Sequence, residues 1–223
     1  MNKACVAFGT THLTSADIRG KSVLEVGSRN VNGSLRGHVE GLAPLSYLGV
    51  DIQPGPGVDE VCPVDQLLKR FGDNAFEVVF STEMLEHVRD WRAAVTNLKG
   101  VTKPGGILLI TTRSQGFGFH GYPFDFWRFE TTDMAVLFED FELLALEPDR
   151  SEPGVFLKSR KPAIWNAVPL ERYPLYSIIL DRRALTVSDT EVRIFRAIYL
   201  ARVAAARALP AALRRRIRKL LRI

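Results

Sequence analysis

Ser22-Val-Leu-Glu-Val-Gly27 is a short apolar run closed by a glycine, and it reads as a buried strand. The chain on its C-terminal side repeats the pattern. Asn32-Gly33-Ser34 can start a helix that runs to Gly41, and Ser46-Tyr-Leu-Gly-Val-Asp-Ile52 is a second strand. Pro54, Gly55, Pro56 and Gly57 then force a loop. Asp65 to Phe71 reads as a short helix and Phe76-Glu-Val-Val-Phe80 as a third apolar run. Glu83 to Gly100 is predicted helical, because Leu85, Val88, Trp91, Val95 and Leu98 sit three or four apart and make one apolar face. Gly106-Ile-Leu-Leu-Ile-Thr-Thr112 is the strongest buried-strand signal in the chain. A helix near Thr131 to Phe138 and strands near Phe141 to Glu147 and Gly154 to Arg160 complete the unit. Alternating helices and apolar strands predict an α/β fold, a mostly parallel sheet covered by helices on both faces.

The length, 223 residues, suits one domain with an appendage. We divide it into an N-terminal segment, 1–20, expected to fold over the site as a lid, a domain over 21–161, and a helical extension over 162–223. Apolar residues make up 46% and charged residues 25%, the balance of a soluble globular protein. Two cysteines, Cys5 and Cys62, make no disulfide framework and have no metal-ligand spacing. No run approaches the ~18 apolar residues of a membrane span, and the first twenty residues carry no signal-peptide core. These readings favour the cytoplasm.

The net charge of +5 is a property of the tail. Residues 201–223 hold eight basic side chains and no acidic one, which leaves 30 − 8 = 22 basic against 25 acidic residues elsewhere. A mildly acidic body argues against a nucleic-acid groove on the main domain. In the extension, Val192, Phe195, Tyr199 and Val203 mark an apolar face that packs on the domain or on a second copy in a homodimer. Pro210 can open a last helix, whose Leu213, Ile217, Leu220 and Leu221 oppose basic residues. Residues 210–223 suit docking through that stripe or contact with an anionic membrane surface.

In sheets of this kind ligands bind beyond the carboxyl ends of the strands, where the strand order switches. Those tips carry Glu25 and Gly27, then Asp51, 51 − 27 = 24 residues on, then Asp65. A glycine lets the backbone approach a ligand. A carboxylate at the second tip can accept from a ribose diol, and Asp65 can accept from an exocyclic adenine amine. Each residue alone is as well explained as a helix cap or solvated loop side chain. Four in order are a stronger signal.

Val23-Leu-Glu-Val-Gly27, Gly49-Val-Asp51, Asp65, Phe76-Glu-Val-Val-Phe-Ser-Thr-Glu-Met-Leu-Glu-His-Val88 and Lys103-Pro-Gly-Gly-Ile-Leu-Leu-Ile110 together resemble the class I S-adenosylmethionine-dependent methyltransferases, especially their small-molecule branch. The resemblance runs from about Lys21 to Lys161. It implies a Rossmann-like, seven-stranded fold and S-adenosylmethionine as cofactor, held by Glu25, Gly27, Ser28, Arg29, Asp51, Ile52, Asp65 and Ser81. The first motif departs from the family's Gly-rich loop, because Arg29 and Val31 stand where later glycines are usual. Arg29 or Asn30 is expected to bond the cofactor or seal the loop. No G-x-G-x-x-G is present, which weakens a nicotinamide reading.

Methyl transfer to a hydroxyl needs a held acceptor, a dry site and removal of a proton. Ser114 to Phe129 suits that, with Phe117, Phe119, Tyr122, Phe124, Phe126 and Trp127 as an aromatic wall that can also stack on sugar rings. His120 is the candidate general base, and Asp125 either orients it or binds an acceptor hydroxyl. The plainer reading is that His120 caps a loop and Asp125 pairs with Arg128. Glu83 and His87 are further candidates, as acceptor contact or alternative base, although acidic residues beside a helix start also simply suit its dipole. Glu83, His87, His120 and Asp125 could hold a divalent metal such as Mg, but their spacing does not demand one. Tyr-Pro-x-Asp-x-Trp-Arg-Phe, ending at Phe129, is similar to bacterial glycan and secondary-metabolite methyltransferases. That resemblance implies O-methylation of a sugar or glycan, a mannoside-type acceptor among them. An RNA-modifying enzyme and a non-catalytic module docking on membranes or partners remain the competing expectations.

Overall fold

The structure is a computed structural model that describes residues 2–121 and 124–208. Tyr122 of the aromatic wall and the basic stripe after Pro210 lie outside the described residues. In order, the chain forms α1 (Lys3–His12), α2 (Ser15–Ile18), β1 (Ser22–Val26), α3 (Arg36–Gly41), β2 (Ser46–Asp51) and β3 (Glu60–Val61). A 3-10 turn at Val64–Gln66 precedes α4 (Leu67–Phe71) and β4 (Phe76–Thr82), and a second at Leu85–His87 precedes α5 (Trp91–Val101) and β5 (Thr102–Arg113). The remainder is β6 (Trp127–Arg128), α6 (Thr131–Leu137), β7 (Glu142–Pro148), β8 (Gly154–Arg160), β9 (Leu175–Ser177), β10 (Arg182–Ala184) and α7 (Asp189–Ala208).

Seven strands form the main sheet in the order β3-β2-β1-β4-β5-β8-β7. The run from β3 to β5 is parallel, and β8 lies antiparallel to both β5 and β7. The chain builds outward from β1 to one edge, then crosses to β4 and builds the other way, so the switch point lies between β1 and β4. Alternate residues of one strand bury on opposite faces. Val23, Val78, Phe80, Ile107 and Leu109 meet Phe8, Leu13 and Ile18, whereas Leu24, Val79, Leu108 and Ile110 meet Trp91, Leu98 and Leu137. Burial on both faces explains why the central strands read as apolar runs.

Three local expectations change. The helix predicted from Glu83 begins only at Trp91, where the Asp90 side chain accepts the Ala93 N–H at 3.0 Å. Glu83 itself has φ +55, outside helical geometry, so the dipole account of Glu83 and His87 does not apply. The helix expected from Asn32 starts at Arg36. The extension also contributes two strands: β10, β9 and β6 form a second small sheet. Leu170, Leu175, Ala184, Val187 and Val192 bury in the main core, and the Arg92 guanidinium donates to the carbonyls of Leu170, Tyr173 and Leu185 at 2.6–2.8 Å. The extension is therefore packed on the sheet's helical layer. The segment expected as a lid also packs on the sheet, with Cys5, Phe8, Leu13 and Ile18 buried, and Asn2 reaches the rim of the main cavity. Among the described residues no helix is long and apolar enough to cross a membrane.

Candidate active site

A cavity of about 630 Å³ opens over the switch point, within the usual range of small-molecule pockets. One half is built from the tips of β1 and β2. Gly27 has φ +82, and a Cβ there would lie 2.9 Å from the Met84 side chain, so only glycine brings this tip against the β4 connector. Ser28 Oγ is buried and without a hydrogen-bond partner. The Asp51 carboxylate lines the cavity and accepts the Arg29 and Gln53 N–H groups at 3.2 Å each. Arg29 Nη1 donates to Gln53 Oε1 at 3.1 Å, and Asn30 Oδ1 accepts the Gly33 N–H at 3.0 Å. These two side chains tie down the loop that lacks the later glycines.

Glu25 is 3% exposed and accepts from the Tyr47 hydroxyl. Burial pushes its carboxyl up to about 7, against the pull of that hydroxyl and the Arg36 charge. Glu25, Gly27, Ser28, Arg29, Asp51 and Ile52 all line the cavity. Asp65 does not: it is exposed on its 3-10 turn, and Cys62 and Val64 form the wall there. Ser81 is buried in β4, outside the cavity lining.

The other half comes from the β4–α5 connector, the end of β5 and residues 114–121 and 124–126. Glu83 pairs with the Arg113 guanidinium and accepts from the Cys5 thiol at 3.3 Å. Burial and the neighbouring Glu86 push the Glu83 carboxyl up to about 7 despite Arg113. Arg113 also lies 4.0 Å over the Phe117 ring. Glu86 is fully buried; its Oε2 accepts the Thr112 hydroxyl at 2.8 Å, and its Oε1 has no hydrogen bond. That bare oxygen lies 3.8 Å from His87 Nε2 and 3.6 Å from His120 Nε2. Burial would raise the Glu86 carboxyl, but the His120 contact and the charges of the two rings outweigh it and lower it.

Asp125 is also fully buried and meets both sequence readings at once. It takes the Arg128 guanidinium in a fork at 2.5 and 2.7 Å. It also accepts the His120 N–H at 3.0 Å, with His120 Nδ1 2.9 Å from the same oxygen. Burial opposes charge on His120, yet the carboxylates of Asp125 and Glu86 push the ring up to about 9. The two carboxylates hold the ring between them at the cavity wall. Phe119 is braced by α7, whose Phe195 and Tyr199 rings lie 5.0 and 4.8 Å away.

Glu83, His87 and His120 line the cavity, and Asp125 stands one layer behind. Sequence reasoning did not assign roles to Glu86 and Arg113. Both carry a signal in retrospect: a charged residue beside an apolar strand end or directly before a candidate histidine.

A family profile described as a methyltransferase domain matches residues 24–110. Among curated proteins, phosphoethanolamine N-methyltransferase 2 of Caenorhabditis elegans is 37% identical over 54 residues, 24% of this chain and 12% of that protein. The match therefore spans about an eighth of that relative. Among solved structures, the 1,6-didemethyltoxoflavin N1-methyltransferase of Burkholderia thailandensis, bound to S-adenosylhomocysteine, superposes with a TM-score of 0.55 at 17% identity, over 72% of this chain and 77% of the other. The methyltransferase in complex with the Haloferax volcanii activator Trm112 gives 0.56 at 12% identity, over 73% and 90%. A Bacillus halodurans methyltransferase gives 0.51 at 17% identity, over 72% and 100%.

Proposed function

We propose, from the premise that this chain carries a class I S-adenosylmethionine-dependent methyltransferase domain, that it transfers a methyl group to a hydroxyl of a small molecule, a sugar or glycan with mannosides among the candidates. The residues present suit the cofactor. Asp51 offers a carboxylate to a ribose diol, Ile52, Cys62 and Val64 supply a wall for a flat base, and Ser28 Oγ is a buried hydroxyl still free to bond. When bound, S-adenosylmethionine supplies a methyl on a positively charged sulfur. The chain's own residues do the rest. Gly27 and Met84 fix the distance between the two halves of the cavity. Phe117 and Phe124 wall the acceptor half and exclude water. Glu86, His87 and His120 act as a unit that holds the acceptor oxygen and favours loss of its proton.

One observation carries this reading: a single cavity joins the Asp51 tip to the His87–His120 pair. Calorimetry with S-adenosylhomocysteine tests the first half, and a folded chain that does not bind it ends the enzymatic reading. Transfer of labelled methyl to a panel of glycosides, each paired with its deoxy analogue, tests the second. Label on the glycoside and none on the deoxy partner is expected. Label recovered on nitrogen in amine acceptors instead would overturn the hydroxyl assignment.

A further inference from the structure

We infer that Glu86, His87 and His120 form a site for one divalent first-row transition-metal ion at the acceptor end of the cavity. Their ligand atoms lie within 4.8 Å of one another. His87 Nε2 and His120 Nε2 stand 3.8 and 3.6 Å from Glu86 Oε1. Metal–ligand bonds of ~2.0–2.2 Å in such sites put neighbouring donors roughly 3–3.5 Å apart, so each imidazole nitrogen needs to close on Glu86 Oε1 by only a few tenths of an ångström.

Two further observations point inward to the same spot. Glu86 Oε1 is fully buried without a hydrogen bond, and a bare buried carboxylate oxygen is uncommon unless something cationic meets it. Two of the ligands also have their opposite polar atom held by a hydrogen bond, and the third faces a carboxylate. His87 Nδ1 contacts the Phe124 carbonyl oxygen at 2.5 Å, which makes Nδ1 the donor and leaves Nε2 with its lone pair. His120 Nδ1 faces Asp125 Oδ2 at 2.9 Å, and Glu86 Oε2 accepts from Thr112 at 2.8 Å. Outer partners of this kind fix ring orientation in metal sites.

Two imidazoles with one carboxylate favour zinc, manganese or iron over magnesium or calcium, which prefer all-oxygen shells. His87 and His120 line the cavity, so the remaining coordination positions face the acceptor. Glu83, taken from sequence as a member of such a set, is instead held by Arg113 and Cys5, and Asp125 belongs behind the ligands. Resting on the methyl-transfer reading, the ion's charge would favour the ionised form of an acceptor hydroxyl.

The test uses the full chain, stripped with chelator and titrated with Co²⁺, read by calorimetry and by visible absorption from histidine-bound cobalt. One ion per chain is expected. His87→Ala and His120→Ala should each lose it, while His12→Ala, altered outside this cluster, should bind as the parent does. Asp125→Asn should weaken binding about 10–100-fold. S-adenosylhomocysteine affinity and circular dichroism of each variant separate loss of the ion from loss of the fold. No cobalt or zinc bound by a chain that still binds S-adenosylhomocysteine overturns the site, as does full binding in the His87→Ala/His120→Ala double variant. A chain that binds the ion but not S-adenosylhomocysteine keeps the site and ends the methyltransferase reading.

Discussion

Two buried polar clusters sit at opposite edges of the sheet, and they are built to opposite rules. At the edge where the parallel strands begin, Lys99 Nζ donates to the Leu137 carbonyl at 2.5 Å and to Asp140 at 2.6 Å. The other Asp140 oxygen accepts from Trp165 Nε1 and the Val168 N–H at 2.9 and 3.2 Å. Lys161 Nζ donates to Asn74 and to the carbonyls of Lys99 and Thr102 at 2.8–2.9 Å, and lies 4.0 Å over the Trp165 ring. Every charge there is met. At the edge where the strands end, Glu86 Oε1 is left bare and two imidazole nitrogens converge on it. A satisfied network holds a fold in one arrangement, whereas an unsatisfied one stores an interaction for a ligand. The first cluster is a fastener and the second a site.

The sharpest way to break that contrast is to remove one charge from each. Lys99→Met strips the cation from a largely buried pair and leaves Asp140 without its counter-charge. A loss of about 3–5 kcal/mol is expected, read from urea unfolding, with S-adenosylhomocysteine affinity unchanged in the folded fraction. Glu86→Gln keeps the shape of the other cluster. Its stability should move by less than about 1 kcal/mol, while methyl transfer falls about 100-fold or more. If the two outcomes were exchanged, the division into fastener and site would be wrong.

A second test asks whether buried charge near the site is held at a cost. The folded-state pKa of Glu25, about 7, stands above its ordinary value of 4.5 because of burial. A raised carboxyl favours the folded state fully below about pH 4.5, where both states carry the proton, and this stability is lost as pH rises through about 7. Relative to Glu25→Gln, the parent should therefore lose roughly 2 kcal/mol between pH 5 and 8, measured by denaturation at several pH values. Equal slopes in the two proteins would show that Tyr47 and Arg36 fully offset burial.

The central strands and their tips were readable in sequence for a physical reason. Runs such as Ile107 to Ile110 bury on both faces, so composition alone marks them, and strand-tip geometry then places Gly27 and Asp51. The acceptor half was less readable. Glu86 looks like any acidic residue near a helix start, and its burial depends on a segment more than 25 residues away folding over it. The left-handed Glu83 breaks a helix whose apolar spacing runs on unbroken in sequence. The strands β6, β9 and β10 are two or three residues long, too short for periodicity to register. Asp65 lies outside the cavity lining because the 3-10 turn after Pro63 presents Val64 there instead.

The smallest effect separates backbone strain from site geometry. Gly27 and Gly72 have nearly the same positive φ, +82 and +79. A Cβ on Gly72, at the end of α4, meets nothing within 4 Å, whereas one on Gly27 falls 2.9 Å from Met84 Cβ and Cγ. Gly72, with ψ 175, lies in a region that is essentially glycine's own, so Gly72→Ala should cost only that conformational penalty, about 1–3 kcal/mol. Gly27→Ala also carries a positive-φ penalty and drives Met84 away from the β1 tip. Met84 sits two residues before Glu86, so the displacement widens the gap between the halves of the cavity. S-adenosylhomocysteine affinity should fall about tenfold in Gly27→Ala, equivalent to about 1.4 kcal/mol, and stay unchanged in Gly72→Ala. Calorimetry on both variants decides it. Equal affinities would mean that the connector yields freely and that Gly27 serves the strand's turn alone.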